Sequence, residues 1–125
     1  MHELSIAASV VEIARERAAG VPGSPRRITQ RIGRLAGVST ESLRFGFAAL
    51  AEGTPLAGCA LEIVEVPVRV FCAECAAESE LAGVAGLACP RCGRPTGDIR
   101  AGRELDFESL EVAAVGNDEP GGIGP

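Results

Sequence analysis

Four of the five cysteines stand in two pairs, Cys72-x2-Cys75 and Cys89-x2-Cys92, with thirteen residues between the pairs. Each pair can form a tight turn that aims two thiolates at one ion. The spacer lets the second turn fold back and complete a tetrahedron with Zn–S bonds of about 2.3 Å. Pro90 and Gly93 suit the second turn. Four thiolates close the coordination sphere and leave no position for water or substrate, so the spacing points to structural zinc and away from a catalytic metal. Rubredoxin-like iron and a pair of redox disulfides remain open, since spacing alone does not choose among them. Cys59, set between Gly58 and an apolar run, reads as a small buried hydrophobe.

The only histidine is His2. A large residue at position 2 disfavours removal of the initiator methionine, which leaves the Met1 amine, the His2 imidazole and the intervening amides close together. Deprotonated amides in fused chelate rings favour a square-planar field, which suits Ni(II) or Cu(II) and not Mg, Ca or Mn. Two unlike metal sites are therefore expected on one short chain.

The elements that must hold these groups are readable in outline. From Glu3 to Ala19 the apolar residues Leu4, Ala7, Ala8, Val11, Ala14 and Ala18 recur at helical steps, and Gly20 ends the helix. Gly20 to Pro25 reads as a loop. Ile28, Gln30, Ile32 and Arg34 then alternate against Arg27, Thr29, Arg31 and Gly33, as in a partly exposed strand. Ser39 or Thr40 can cap a second helix with Leu43, Phe47 and Leu50 on one face, stopped by Gly53 and Pro55. Ala60 to Val66 is a strand with Leu61, Ile63 and Val66 inward, broken by Pro67. Leu105, Phe107, Leu110 and Val112 form the last strand. The class is α+β: a small mixed sheet of about three strands packed by two helices, with an inserted zinc-ribbon-like domain built on the four paired cysteines. Residues 1–67 plus 99–115 form one domain, 68–98 the zinc insertion, and 116–125 a Gly/Pro-rich tail expected to be disordered.

The 125 residues suit one modest core: 46% are apolar, but only 3% are aromatic, with no Trp or Tyr. Bound zinc, which contributes on the order of 10 kcal/mol in zinc-finger peptides, is the expected staple. No apolar run approaches the roughly 18 residues of a membrane span, and no basic-then-apolar leader opens the chain, so a cytoplasmic protein is expected. A disulfide framework is disfavoured for the same reason. Net charge is −5, but seven arginines and four acids lie in residues 1–51 against five and thirteen in 52–125. That asymmetry makes the arginine-rich half a candidate contact surface for an acidic partner. The acidic total and the shortage of stacking aromatics argue against nucleic acid. No Ser/His/Asp group, phosphate loop or Lys supports an enzyme.

Taken together, Met1-His2-Glu3-Leu4-Ser5, the capped segment with Ser42, Phe45 and Phe47, Leu61-x-Ile63-x3-Pro67 before the cysteine pairs, Gly102-x-Glu104-Leu105 and Leu110-Glu111-Val112 resemble the HypA/HybF hydrogenase maturation nickel chaperones. The resemblance runs from Met1 to about Val112. It implies a nickel-binding α+β domain with an inserted zinc domain, and Ni(II) held by the Met1 amine, the His2 imidazole and backbone amides near His2 and Glu3. The Glu3 carboxylate is expected beside those ligands, and Cys72, Cys75, Cys89 and Cys92 are expected to hold zinc. It further implies delivery of nickel, with the GTPase HypB, to the large subunit of nickel-iron hydrogenase, service to urease maturation in some members, and a monomer or homodimer. No histidine follows His2, so any further nickel ligand must be backbone, water, carboxylate, thiolate or a partner residue. The rival reading is a zinc-ribbon adaptor that binds a protein partner without nickel.

Overall fold

The structure is a computed structural model and describes residues 3–114. Its elements follow in the order α1 (Glu3–Ala18), β1 (Ser24–Gly33), α2 (Thr40–Ala51), β2 (Ala60–Val66), β3 (Arg69–Cys72), β4 (Ala77–Glu80), β5 (Ile99–Ala101) and β6 (Leu105–Ala113). Three strands form a sheet in the order β2-β1-β6, and three shorter ones form a second sheet, β4-β3-β5. The α+β class expected from the sequence is the class observed.

The described residues fall into two compact units. The first comprises residues 3–30, 38–63 and 107–114, and the second 31–37 and 64–106. In the first unit, α1 carries an acid in its first turn (Glu3) and Arg15 and Arg17 in its last, the arrangement that complements the helix dipole. It buries Ile6, Ala7, Val10, Val11 and Ala14. The apolar face is thus rotated from the expected one. Leu4 is 59% exposed and Ala8 is exposed, while Ile6 and Val10 turn inward. A helix with alanines on both sides allows this error, because an alanine fits either side at little cost.

Ser39 caps α2, its Oγ accepting from the Ser42 N–H at 3.2 Å. Leu43, Gly46, Phe47 and Ala51 are buried. Leu50, expected on that face, is 37% exposed, and Ala51 takes its place one residue on. A Cβ on Gly46 would lie 3.4 Å from both the Ala7 Cβ and the Leu4 Cδ1, so the two helices meet at contact distance where α2 has no side chain. β1 contributes Ile28 and Gln30, both almost fully buried, and Leu56 and Leu61 are buried as well.

β1 begins at Ser24, inside the segment expected to be loop, and it ends at Gly33. Arg34, expected to continue the inward alternation, lies past the strand and is exposed. In β2, Leu61 and Val66 are buried and Ile63 is half-buried. Two of the three arginines of β1 are paired with acids of neighbouring strands. Arg27 pairs with Glu62 at 2.8 Å and Glu111 at 3.8 Å, and Arg31 pairs with Asp106 at 3.7 Å. At these positions the charge asymmetry seen along the sequence is cancelled between neighbouring strands.

The second unit has its own small core, Val68, Val70 and Leu81, packed by Leu35, Leu87 and Ile99. β3 pairs antiparallel with β4, placing Cys72 opposite Ala77, and on its other edge with β5. These three short strands were not anticipated from the sequence. The segment after β1 is laced into the same unit: the Gly33, Arg34 and Leu35 amides donate to the Glu104, Val66 and Gly102 carbonyls at 2.8, 3.0 and 2.7 Å. Gly33 and Gly102 are in backbone contact there. A Cβ on Gly33 would fall 2.1 Å from the Gly102 carbonyl, closer than any real Cβ contact. The tail 116–125 lies outside the described residues.

Candidate metal centres

The strand β3 delivers Cys72 at its last position, and the turn that follows brings Cys75 beside it before the chain returns as β4. The second pair sits on a tight turn. The Cys89 N–H donates to the Arg94 carbonyl and the Gly93 N–H to the Cys89 carbonyl, both at 2.8 Å, and an Ala88–Pro95 bridge closes its base. Gly93 takes φ +79°, and Ala76, the residue in the equivalent place after Cys75, takes φ +54°. Both turns therefore reverse through the left-handed region immediately after their second cysteine. Alanine accepts that conformation at a cost of about 1–2 kcal/mol, so the first turn is held by its surroundings.

The four ligand sulfurs all lie within 4.8 Å of one another, with Cys72–Cys92 at 3.7 Å and Cys75–Cys89 at 3.9 Å. A regular tetrahedron of sulfurs about 2.3 Å from a central zinc has edges of about 3.8 Å. The cluster fits structural zinc in donor type, number and spacing. Cys72 and Cys89 are buried, Cys75 is half-buried and Cys92 exposed, so the site lies at the surface of its unit with two ligands rooted in the interior.

The local electrostatics separate the thiols. Main-chain N–H groups of Cys92 and Arg91 lower Cys89 from the ordinary 9.0 to about 7, the Arg91 amide lying 3.4 Å from its sulfur. Cys75 is pushed up to about 12, first by its hydrogen bond with Cys92 and then by burial. Cys89 thus gives up its proton more readily than an ordinary thiol and Cys75 less readily. This is the pattern of a crowded thiolate site that needs a dication.

Cys59 takes no part. It is 8% exposed, its thiol is pushed up by burial, and its Sγ lies 3.7 Å from the Ala60 carbonyl oxygen. A small buried hydrophobe was the expectation from sequence.

Of the expected nickel ligands, Met1 and His2 lie outside the described residues. Glu3 opens α1, and its Oε2 accepts a hydrogen bond from the Ser39 N–H at 2.8 Å. Sequence reasoning missed this contact, for nothing in the spacing of two residues 36 apart announces it.

The family model described as "Hydrogenase/urease nickel incorporation, metallochaperone, hypA" matches residues 1–112. The chain belongs to the HypA family. It is 54% identical over 114 residues to the hydrogenase maturation factor HypA of Chloroflexus aurantiacus (strain J-10-fl), covering 90% of this chain and 99% of that one. It is 39% identical over 112 residues to HypA of Streptomyces avermitilis, covering 88% and 86%. The fold is shared with the Ni metallochaperone HypA from Helicobacter pylori in solution (TM-score 0.60, 23% identity, 91% and 99% covered). A second solution structure of a HypA protein gives a TM-score of 0.64 at 22% identity, covering 91% and 98%. HypA proteins are maturation factors, and nickel is the cargo their family description names. Among the described residues no helix is long and apolar enough to cross a membrane.

Proposed function

We propose that this chain carries Ni(II) at its N-terminus and delivers it for maturation of nickel-iron hydrogenase. The Met1 amine, the His2 imidazole and the amides of His2 and Glu3 take the nickel, while Cys72, Cys75, Cys89 and Cys92 hold zinc. Zinc, when bound, closes the four-thiolate site and stabilises the second unit without reacting. Membership of the HypA family along residues 1–112 is the observation that carries the reading.

The start of α1 at Glu3 supports it physically. The first four amides of a helix have no acceptor within the helix, so the Glu3 amide can give up its proton to nickel without breaking a helical hydrogen bond. The partial positive charge at that end also favours the deprotonated nitrogen. Functional division follows the metals: residues 1–67 and 99–115 serve nickel, and 68–98, which contain every zinc ligand, serve zinc. The β3–β4 hairpin lies within that insertion, and the pairing of Ile99–Ala101 with β3 carries its sheet just past the boundary.

With no Lys and no Gly-x4-Gly-Lys loop, the chain itself has no phosphate cradle of the usual kind, so nucleotide hydrolysis falls to the GTPase partner HypB. The recipient is the hydrogenase large subunit, with urease maturation factors as further partners, all in the cytoplasm. The protein acts as a carrier and not as an enzyme. Calorimetric titration of the zinc-loaded protein with Ni(II) tests the reading. One equivalent is expected in the wild type and none in His2→Ala or in a form with residues added before Met1. Equal uptake by all three would overturn the N-terminal site and return the chain to a zinc-stapled adaptor.

A further inference from the structure

We propose that Glu3 is a positioning residue, whose carboxylate ties the start of α1, and with it the nickel-binding N-terminus, to the N-terminal end of α2. This rests on the nickel reading above. The tie is the 2.8 Å hydrogen bond from the Ser39 N–H to Glu3 Oε2. Ser39 is the N-cap of α2, with φ −79° and ψ 111°, and its Oγ is already engaged by the Ser42 N–H. Its own amide precedes the helix, belongs to no helical hydrogen bond and is therefore available to a group from elsewhere in the fold.

A second contact seats the same turn. The point where a Cβ on Gly46 would stand lies 3.4 Å from Leu4 Cδ1 and 3.8 Å from Leu4 Cα, so the first turn of α1 rests on α2 at a residue with no side chain. The residue after Glu3, though largely exposed, thus passes close to α2, and Glu3 itself is hydrogen-bonded to the N-cap of the same helix.

The geometry divides the labour of one residue. The Glu3 amide joins the metal chelate, while its carboxylate holds the backbone that carries the amide. A chelating segment fixed at one end has fewer conformations to lose on binding the ion, so the tie acts on nickel retention without supplying a ligand. A carboxylate accepting from an amide is a charge-assisted bond, and at an exposed position its loss corresponds to about a three- to tenfold weaker affinity.

The test is nickel titration of the full-length zinc-loaded protein, read by calorimetry and by the visible absorption band of the bound Ni(II). Glu3→Ala should weaken nickel binding about three- to tenfold with the band unmoved, because the ligands are unchanged. Glu3→Gln, whose amide oxygen still accepts, should recover most of the loss. Ser39→Pro removes the donor at a φ that proline tolerates, together with the Ser39 cap, and should weaken nickel binding at least as much as Glu3→Ala, with the double variant no weaker than Ser39→Pro alone. Thr54→Ala removes hydrogen bonds at the other end of α2 and controls for stability alone, leaving nickel affinity at the wild-type value. Wild-type affinity in Glu3→Ala would overturn the proposal even if Ser39→Pro fails to fold. A shifted band in Glu3→Ala would also overturn it, since the carboxylate would then be a ligand. Wild-type protein that takes up no nickel would overturn the proposed function itself, and the tie to nickel with it.

Discussion

Gln30 offers a direct test of the first unit's core. It is 3% exposed, sits in β1 between Ile28 and Ile32 on the inward face, and its Oε1 is buried without a hydrogen-bond partner among the described residues. Leaving such an acceptor unsatisfied costs about 1–3 kcal/mol. Leucine has nearly the same volume and no polar atom, so Gln30→Leu opens no large cavity and removes the penalty. After allowing for contacts of the rest of the amide, the expected gain is about 1 kcal/mol. With a urea m-value of about 1–3 kcal/mol per molar for a small protein, the midpoint should rise by roughly 0.3–1 M at unchanged slope. Equilibrium unfolding followed at 222 nm, with zinc held in excess, measures this. Gln30→Glu is the opposing control, because it places an ionisable carboxyl in the same dry position and should lower the midpoint. A lower midpoint in Gln30→Leu with the slope unchanged would refute the reasoning, since the oxygen would then have a partner such as a buried water.

Four other outcomes are expected. Cys75→Ser should reduce bound zinc below one equivalent by metal analysis and lower the unfolding midpoint, while the helical signal of α1 and α2 at 222 nm persists. In metal-free protein, the lowered Cys89 value means that its contribution to stability is complete above the ordinary thiol value of 9.0 and is lost as pH falls through about 7. Urea midpoints taken from pH 9 to pH 6 should show that decline, and zinc uptake should weaken over the same range. Gly33→Ala places a Cβ 2.1 Å from the Gly102 carbonyl and should cost about 3 kcal/mol or more, read as loss of soluble protein or a large fall in midpoint. Nickel affinity should drop between pH 8 and pH 6, because protons compete for a histidine of reference pKa about 6.5 and an α-amine of about 7.7–8.0. An unchanged isotherm across that range would contradict an N-terminal chelate.

What the sequence made legible was what local spacing controls. The two cysteine pairs declared a four-thiolate site because two residues between ligands leave the chain few ways to turn, and the sulfurs do converge within 4.8 Å. The strand Ala60–Val66 and the Ser39 cap were equally local. The inward face of α1 was misjudged because its alanines, at positions 7, 8, 14 and 18, leave the apolar stripe poorly defined. Strands of three or four residues, such as Ile99–Ala101, carry too short an alternation to be read. The Gly33–Gly102 contact, the pairing of Arg27 with Glu62 and Glu111, and the Glu3–Ser39 tie all join distant stretches of chain. None follows from the properties of either partner alone.

The strand order β2-β1-β6 has a consequence for how the chain is made. β1 is complete once residue 33 has been synthesised, whereas β6 ends at residue 113. Until β6 is made, the future central strand has at least one open edge, the condition in which nascent chains pair with one another. Arg27 and Arg31, which bind acids of β2 and β6 in the finished sheet, then have no β6 carboxylates to meet. Two such strands brought together from neighbouring ribosomes set like charges face to face. The arginines that pair across the finished sheet are thus also a charge that disfavours such pairing before it is complete.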